Sequence, residues 1–68
     1  MIVISKHMAI NMDYVIHWTA GRTAGNNQGT TLTFRDSKSV YLTVSFDVFN
    51  TQYRMAKDDG LNVFWLEY

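Results

Sequence analysis

The sequence predicts an α+β domain, a strongly bent antiparallel sheet of about four or five strands with one short helix packed over it. Three observations point there. Residues 30–44 hold two runs of apolar and polar alternation separated by the polar turn Asp36-Ser37-Lys38-Ser39, the pattern of a half-buried hairpin. Ser45-Phe46-Asp47 opens a stretch with helical periodicity. Both ends of the chain are rich in β-branched and aromatic residues.

Residues 1–5 predict a short apolar strand, and residues 8–19 a second one, interrupted at Asn11-Met12-Asp13, where two Asx side chains favour a turn. Alternation after the turn predicts Tyr14, Ile16 and Trp18 on one face and Val15, His17 and Thr19 on the other. The segment 21–29 holds three of the four glycines and the pair Asn26-Asn27, so it reads as a flexible surface loop or a long hairpin connection. In the hairpin that follows, Leu32, Phe34, Val40, Leu42 and Val44 point inward, while Thr31, Thr33 and Arg35 point outward. Ser45 is the expected N-cap of the helix, Asp47 complements its dipole, and Gly60 after Asp58-Asp59 stops it. Phe46, Phe49 and Tyr53 form its main apolar face, and Val48, Gln52 and Met55 a second flank. Residues 61–68 predict a last strand that is apolar on both sides, with Leu61, Val63 and Trp65 opposite Phe64, Leu66 and Tyr68. Such a strand must be central, covered on both faces, or paired with another chain.

Sixty-eight residues make one domain, 1–68. A chain of this size buries only about 60% of its unfolded surface. Burying about 4,200 Å² of apolar area contributes on the order of 105 kcal/mol, against about 100 kcal/mol for ordering the chain. Small domains close so narrow a balance with disulfides, a metal or a partner subunit. Cysteine is absent, and His7 and His17 have no thiol partners at zinc-site spacing, which leaves self-association. No cofactor is implied. The N-terminal residues lack the flank and length of a signal peptide, and no apolar run spans a bilayer, so the expected setting is cytoplasmic with no membrane partner.

The chemistry-bearing residues do not assemble into a catalytic pattern. No two of them stand at the spacing of a nucleophile and base, a carboxylate pair or a metal site, so the chain reads as non-enzymatic. A role for His17 as a ligand or base requires folding to bring Asp13 or Asp36 to it. Asp58-Asp59-Gly60 lacks the further oxygen ligands of a calcium loop and reads as a helix-ending turn. The glycines at 21, 25 and 29 lack the Gly-Lys-Ser/Thr ending of a phosphate loop.

The succession Met1-Ile2-Val3-Ile4, Ala9-Ile10-Asn11-Met12-Asp13-Tyr14-Val15-Ile16, Thr31-Leu32-Thr33-Phe34-Arg35-Asp36 and Val44-Ser45-Phe46-Asp47 resembles the small FlbD-like proteins that accompany flagellar genes in many bacteria. The same order also resembles part of a LytTR-type domain, in which hairpins and a short helix present loops to DNA. The first resemblance implies a small bacterial accessory protein, the second a DNA-binding one.

The leading expectation is therefore an interaction module that self-associates and binds a protein partner. Its interface residues are Val63, Phe64, Trp65, Leu66 and Tyr68 of the last strand, or Val48 and Met55 of the helix flank. The alternative is a nucleic-acid-binding regulator. Six basic residues balance six acidic ones without a basic run, so an oligomer would have to gather Arg22, Arg35 and Arg54 beside a stacking platform drawn from Trp18, Trp65, Tyr14, Tyr41, Tyr53 and Tyr68. A small inhibitor that mimics another ligand is a third reading, and balanced charge argues against mimicry of DNA.

Overall fold

A computed structural model describes residues 1–22 and 28–68, with Arg22 given by its main chain alone. The described chain runs β1 (Ile2–Ile4), β2 (Ala9–Asn11), a 3-10 turn (Met12–Tyr14), β3 (Val15–Arg22), β4 (Gln28–Phe34), β5 (Ser39–Leu42), α1 (Phe46–Asp58) and β6 (Val63–Trp65). The α+β class holds, but the single bent sheet does not. The strands divide into two three-stranded sheets, β2-β1-β6 and β3-β4-β5. The first contains a parallel pair, because β6 returns to lie beside β1 with Ile2, Val3 and Ile4 opposite Val63, Phe64 and Trp65.

The division happens at the 3-10 turn. Asn11 Oδ1 accepts a hydrogen bond from the Asp13 amide at 3.0 Å, so the expected Asx turn forms and ends β2. The Met12 amide donates to the Met1 carbonyl at 2.9 Å, and the Arg35 amide donates to the Tyr14 carbonyl at 3.0 Å. One end of the turn therefore belongs to each sheet. Met12 itself is buried in the core, a role beyond that of a turn residue.

The β3–β4 ladder shifts register between Val15 and His17, leaving Ile16 as the extra residue of a β-bulge. The bulge overturns the expected alternation. Val15 now pairs with Phe34 and Trp18 with Leu32, so Val15 and Trp18 share the inner face despite their odd spacing, and Tyr14 and Ile16 are exposed. Pairing also continues through Gly21↔Gly29 and Arg22↔Gln28. The segment is thus the hairpin connection between β3 and β4, with its ends Gly21, Arg22, Gln28 and Gly29 in the strands, and its middle, 23–27, lies outside the described residues. Glycine serves packing at this end of the hairpin. A Cβ on Gly29 would stand 2.2 Å from the Tyr41 hydroxyl oxygen and 2.5 Å from the Leu42 carbonyl oxygen.

The hairpin turn closes with the Lys38 amide donating to Asp36 Oδ1 at 3.0 Å and Ser37 at φ 71°. Leu32 and Leu42 are buried beneath it, as their alternation requires, and Val40 packs against the core. Thr30 is fully buried between them, and its hydroxyl donates to the Val44 carbonyl at 2.9 Å where the chain leaves β5 for the helix. Ser45 then caps α1 by accepting from the Val48 amide at 3.3 Å. At the other end, Gly60 takes φ 71°, its amide donates to the Lys57 carbonyl, and the Leu61 amide donates to the Ala56 carbonyl, both at 3.0 Å. This is the Schellman pattern, which satisfies the last carbonyls and turns the chain toward β6.

The core gathers Val3, Ile10, Leu32, Val44, Phe49, Ala56, Phe64 and Leu66 from both sheets and the helix. Its folded surface of 4658 Å² agrees with the roughly 4,400 Å² that size scaling gives.

Two substitutions test this packing. Thr30→Val keeps the shape but withdraws a buried donor, and the expected loss is about 1–3 kcal/mol by urea unfolding. Gly29→Ala places its methyl against the Leu42 main chain and is expected to cost about 1–3 kcal/mol, more than Gly21→Ala, whose nearest neighbours are the side chains of Thr31 and Tyr41.

Candidate functional site

The outer faces of the two sheets are chemically opposite. On β3-β4-β5 the outward positions are His17, Thr33 and Ser39 in one row and Thr19, Thr31 and Tyr41 in the next, a hydroxyl-rich surface suited to water. On β2-β1-β6 the inward row is Ile10, Val3 and Phe64, all buried. Alternation therefore turns Asn11, Ile2 and Val63, and next to them Ala9, Ile4 and Trp65, to the outside. That face carries a single polar residue, at its corner. Val63 is 48% exposed and Trp65 70%, while Ile2 and Ile4 are half-buried.

The same sheet has an open edge on β6. The Asn62 carbonyl accepts from the Ile2 amide at 2.7 Å, and the Leu66 amide donates to the Ile4 carbonyl at 2.8 Å. Residues 62, 64 and 66 thus turn their peptide groups to β1, and Val63 and Trp65 turn theirs away, since a parallel ladder alternates in this way. Among the described residues no strand pairs with that side. The next residue of the same parity, Glu67, is held by the helix instead. Its amide donates to Gln52 Oε1 at 2.9 Å, and its carbonyl accepts from Gln52 Nε2 at 2.6 Å. Gln52 so performs for Glu67 what a paired strand residue would.

The expected interface residues separate accordingly. Phe64 and Leu66 belong to the core of this chain. Val63 and Trp65 lie on the open face, and Tyr68 is partly exposed with the Lys6 ammonium 4.6 Å from its ring centroid. Val48 and Met55 are exposed on α1, where Met55 borders a shallow groove with Gln52, Ala56 and Leu61. Ile2 and Ile4 were not singled out by sequence. The signal for them was the unbroken apolar run Ile2-Val3-Ile4, which like residues 61–68 has no polar side.

Within one chain the described residues of the alternative reading lie on different elements. Arg35 follows β4 at the hairpin turn, Arg54 lies on α1 beside Asp58, and the side chain of Arg22 is outside the described residues. Of the aromatic platform, Trp18 and Tyr53 pack edge-to-face within the protein, with ring centroids 5.2 Å apart, and Tyr41 lies across Gly29. His17 points outward from β3, whereas Asp13 lies 3.5 Å from the N-terminal ammonium and Asp36 serves the hairpin turn. Among the described residues no group of three His, Asp or Glu side chains is placed to hold a metal ion, and no helix is long and apolar enough to cross a membrane. Asp58-Asp59-Gly60 forms the helix-ending turn.

No protein-family model, curated protein or solved structure matches the chain.

The Gln52 contact is open to a direct check. Gln52→Ala is expected to speed amide exchange at Glu67 while changing global stability by less than about 1 kcal/mol, because the lost bonds are exposed. Hydrogen exchange followed by NMR measures both.

Proposed function

We propose that this chain is a non-enzymatic interaction module that self-associates through the outer face of the β2-β1-β6 sheet and engages a protein partner with the surface that remains. The observation that carries the reading is the contrast between the two outer faces: Thr, Ser, His and Tyr41 on one sheet, with Ile16 exposed only at its bulge, and Ile2, Ile4, Val63 and Trp65 on the other. Water accommodates the first face well. The second holds side chains whose full burial is worth about 1.5–3 kcal/mol each, a gain that a monomer leaves unrealised.

Charge does not oppose association of identical copies. Six Lys and Arg balance six Asp and Glu, so two chains approach without net repulsion. Val48 and Met55 on α1, with Leu61 just past its end, form a second exposed apolar surface, which supports assigning it to a different protein. The resemblance to the FlbD-like proteins implies a small bacterial accessory protein and adds a bacterial setting to the proposal.

Sedimentation equilibrium tests it. The wild-type chain is expected to form a dimer or larger species in the micromolar range, with the emission of Trp65 shifting to the blue as concentration rises. Trp65→Asp is expected to remain folded by circular dichroism, since the side chain is 70% exposed, and to sediment as a monomer. A wild-type chain that stays monomeric at high micromolar concentration refutes the proposal.

A further inference from the structure

Resting on that reading, we infer that the association is a two-fold pairing of β6 with β6 of a second copy, which joins two three-stranded sheets into one continuous six-stranded sheet. The open peptide groups belong to Val63 and Trp65, two residues apart on one edge. An antiparallel copy placed about a two-fold axis at Phe64 sets Val63 opposite Trp65 of the second copy, and Trp65 opposite its Val63. Each of these pairs exchanges both main-chain hydrogen bonds, the closely spaced arrangement of an antiparallel ladder. On the outer face the same pairing lays an indole against a β-branched side chain twice, a favourable cross-strand combination.

Several features make a second copy of this chain the occupant. The edge is self-complementary, since the residues offering main-chain groups also supply the facing side chains. From Asn62 to Leu66 it carries no charge and no proline, the usual devices that keep an edge from pairing. Its length is also limited from within, because Gln52 occupies the main chain of Glu67 and pairing stops there. A long unrelated strand would collide with that contact, whereas a two-fold copy of Val63–Trp65 ends before it. The joined sheet then aligns Ile2, Ile4, Val63 and Trp65 with their counterparts in one apolar face.

Amide exchange of the wild-type protein, measured above and below the association midpoint, reads the edge without a mutation. The Val63 and Trp65 amides are expected to slow by at least about tenfold in the associated state, with Phe64 less affected because its amide already faces β1. In a mixed sample of labelled and unlabelled chains, a cross-copy contact between the two Phe64 Hα atoms is expected, since a non-hydrogen-bonded antiparallel pair brings them together. Val63→Pro removes an outward donor and is expected to abolish association with the fold retained, as edge positions tolerate proline. An associated protein whose Val63 and Trp65 amides exchange as in the monomer overturns the edge pairing and leaves association through another surface standing. A chain that is monomeric at every concentration overturns both.

Discussion

One helix has to close two sheets, and its aromatic face is what allows it. Phe49 is fully buried, and with Tyr53 it makes a near-parallel pair, ring centroids 6.0 Å apart. Trp18 of β3 meets both rings edge-on, at 5.7 Å and 5.2 Å, and Tyr53 reaches Phe64 of β6 at 6.3 Å. A chain of contacts thus runs from one sheet through the helix to the other. The β2-β1-β6 sheet is not sufficient alone, since its strands of three residues offer little surface of their own. The β-bulge at Ile16 is part of the same constraint, because without it Val15 and Trp18 cannot both face the helix side.

This arrangement determines what is left open. The helix covers the inner faces and has no second layer to offer the outer ones. The β3-β4-β5 sheet meets water with hydroxyls, but β1 and β6 are apolar on both sides. Their outer face and the β6 edge are therefore unsatisfied by the fold itself. Gln52 limits the exposure by capping Glu67, which keeps the open edge to Val63 and Trp65. A short, defined opening favours one specific mate over indiscriminate strand addition.

Local signals made most of the elements legible. The hairpin at 30–44, the Asx turn at Asn11, the Ser45 cap and the Gly60 stop each depend on residues within a few positions of one another, and the structure has all of them. The glycine segment does connect a hairpin, β3 to β4, but glycine spacing does not show that the ladder runs on into it, where Gly21 and Gly29 are paired and Gly29 makes room for Tyr41 across the sheet. The faces around Tyr14 and Ile16 depart from simple alternation for a related reason. A bulge moves every residue beyond it to the other side, and its position is set by the partner strand.

The candidate surface was half visible. By itself the sequence determined that residues 61–68 have no polar side and that the chain has no cysteine from which a disulfide could compensate for its size. Which of those residues remain accessible was decided only in three dimensions. The parallel pairing of β6 with β1, between segments at opposite ends of the chain, buries Phe64 and Leu66, exposes Val63 and Trp65, and recruits Ile2 and Ile4 to the same face. Periodicity marks two faces on a strand, but only the layer that packs against one of them decides which is inside.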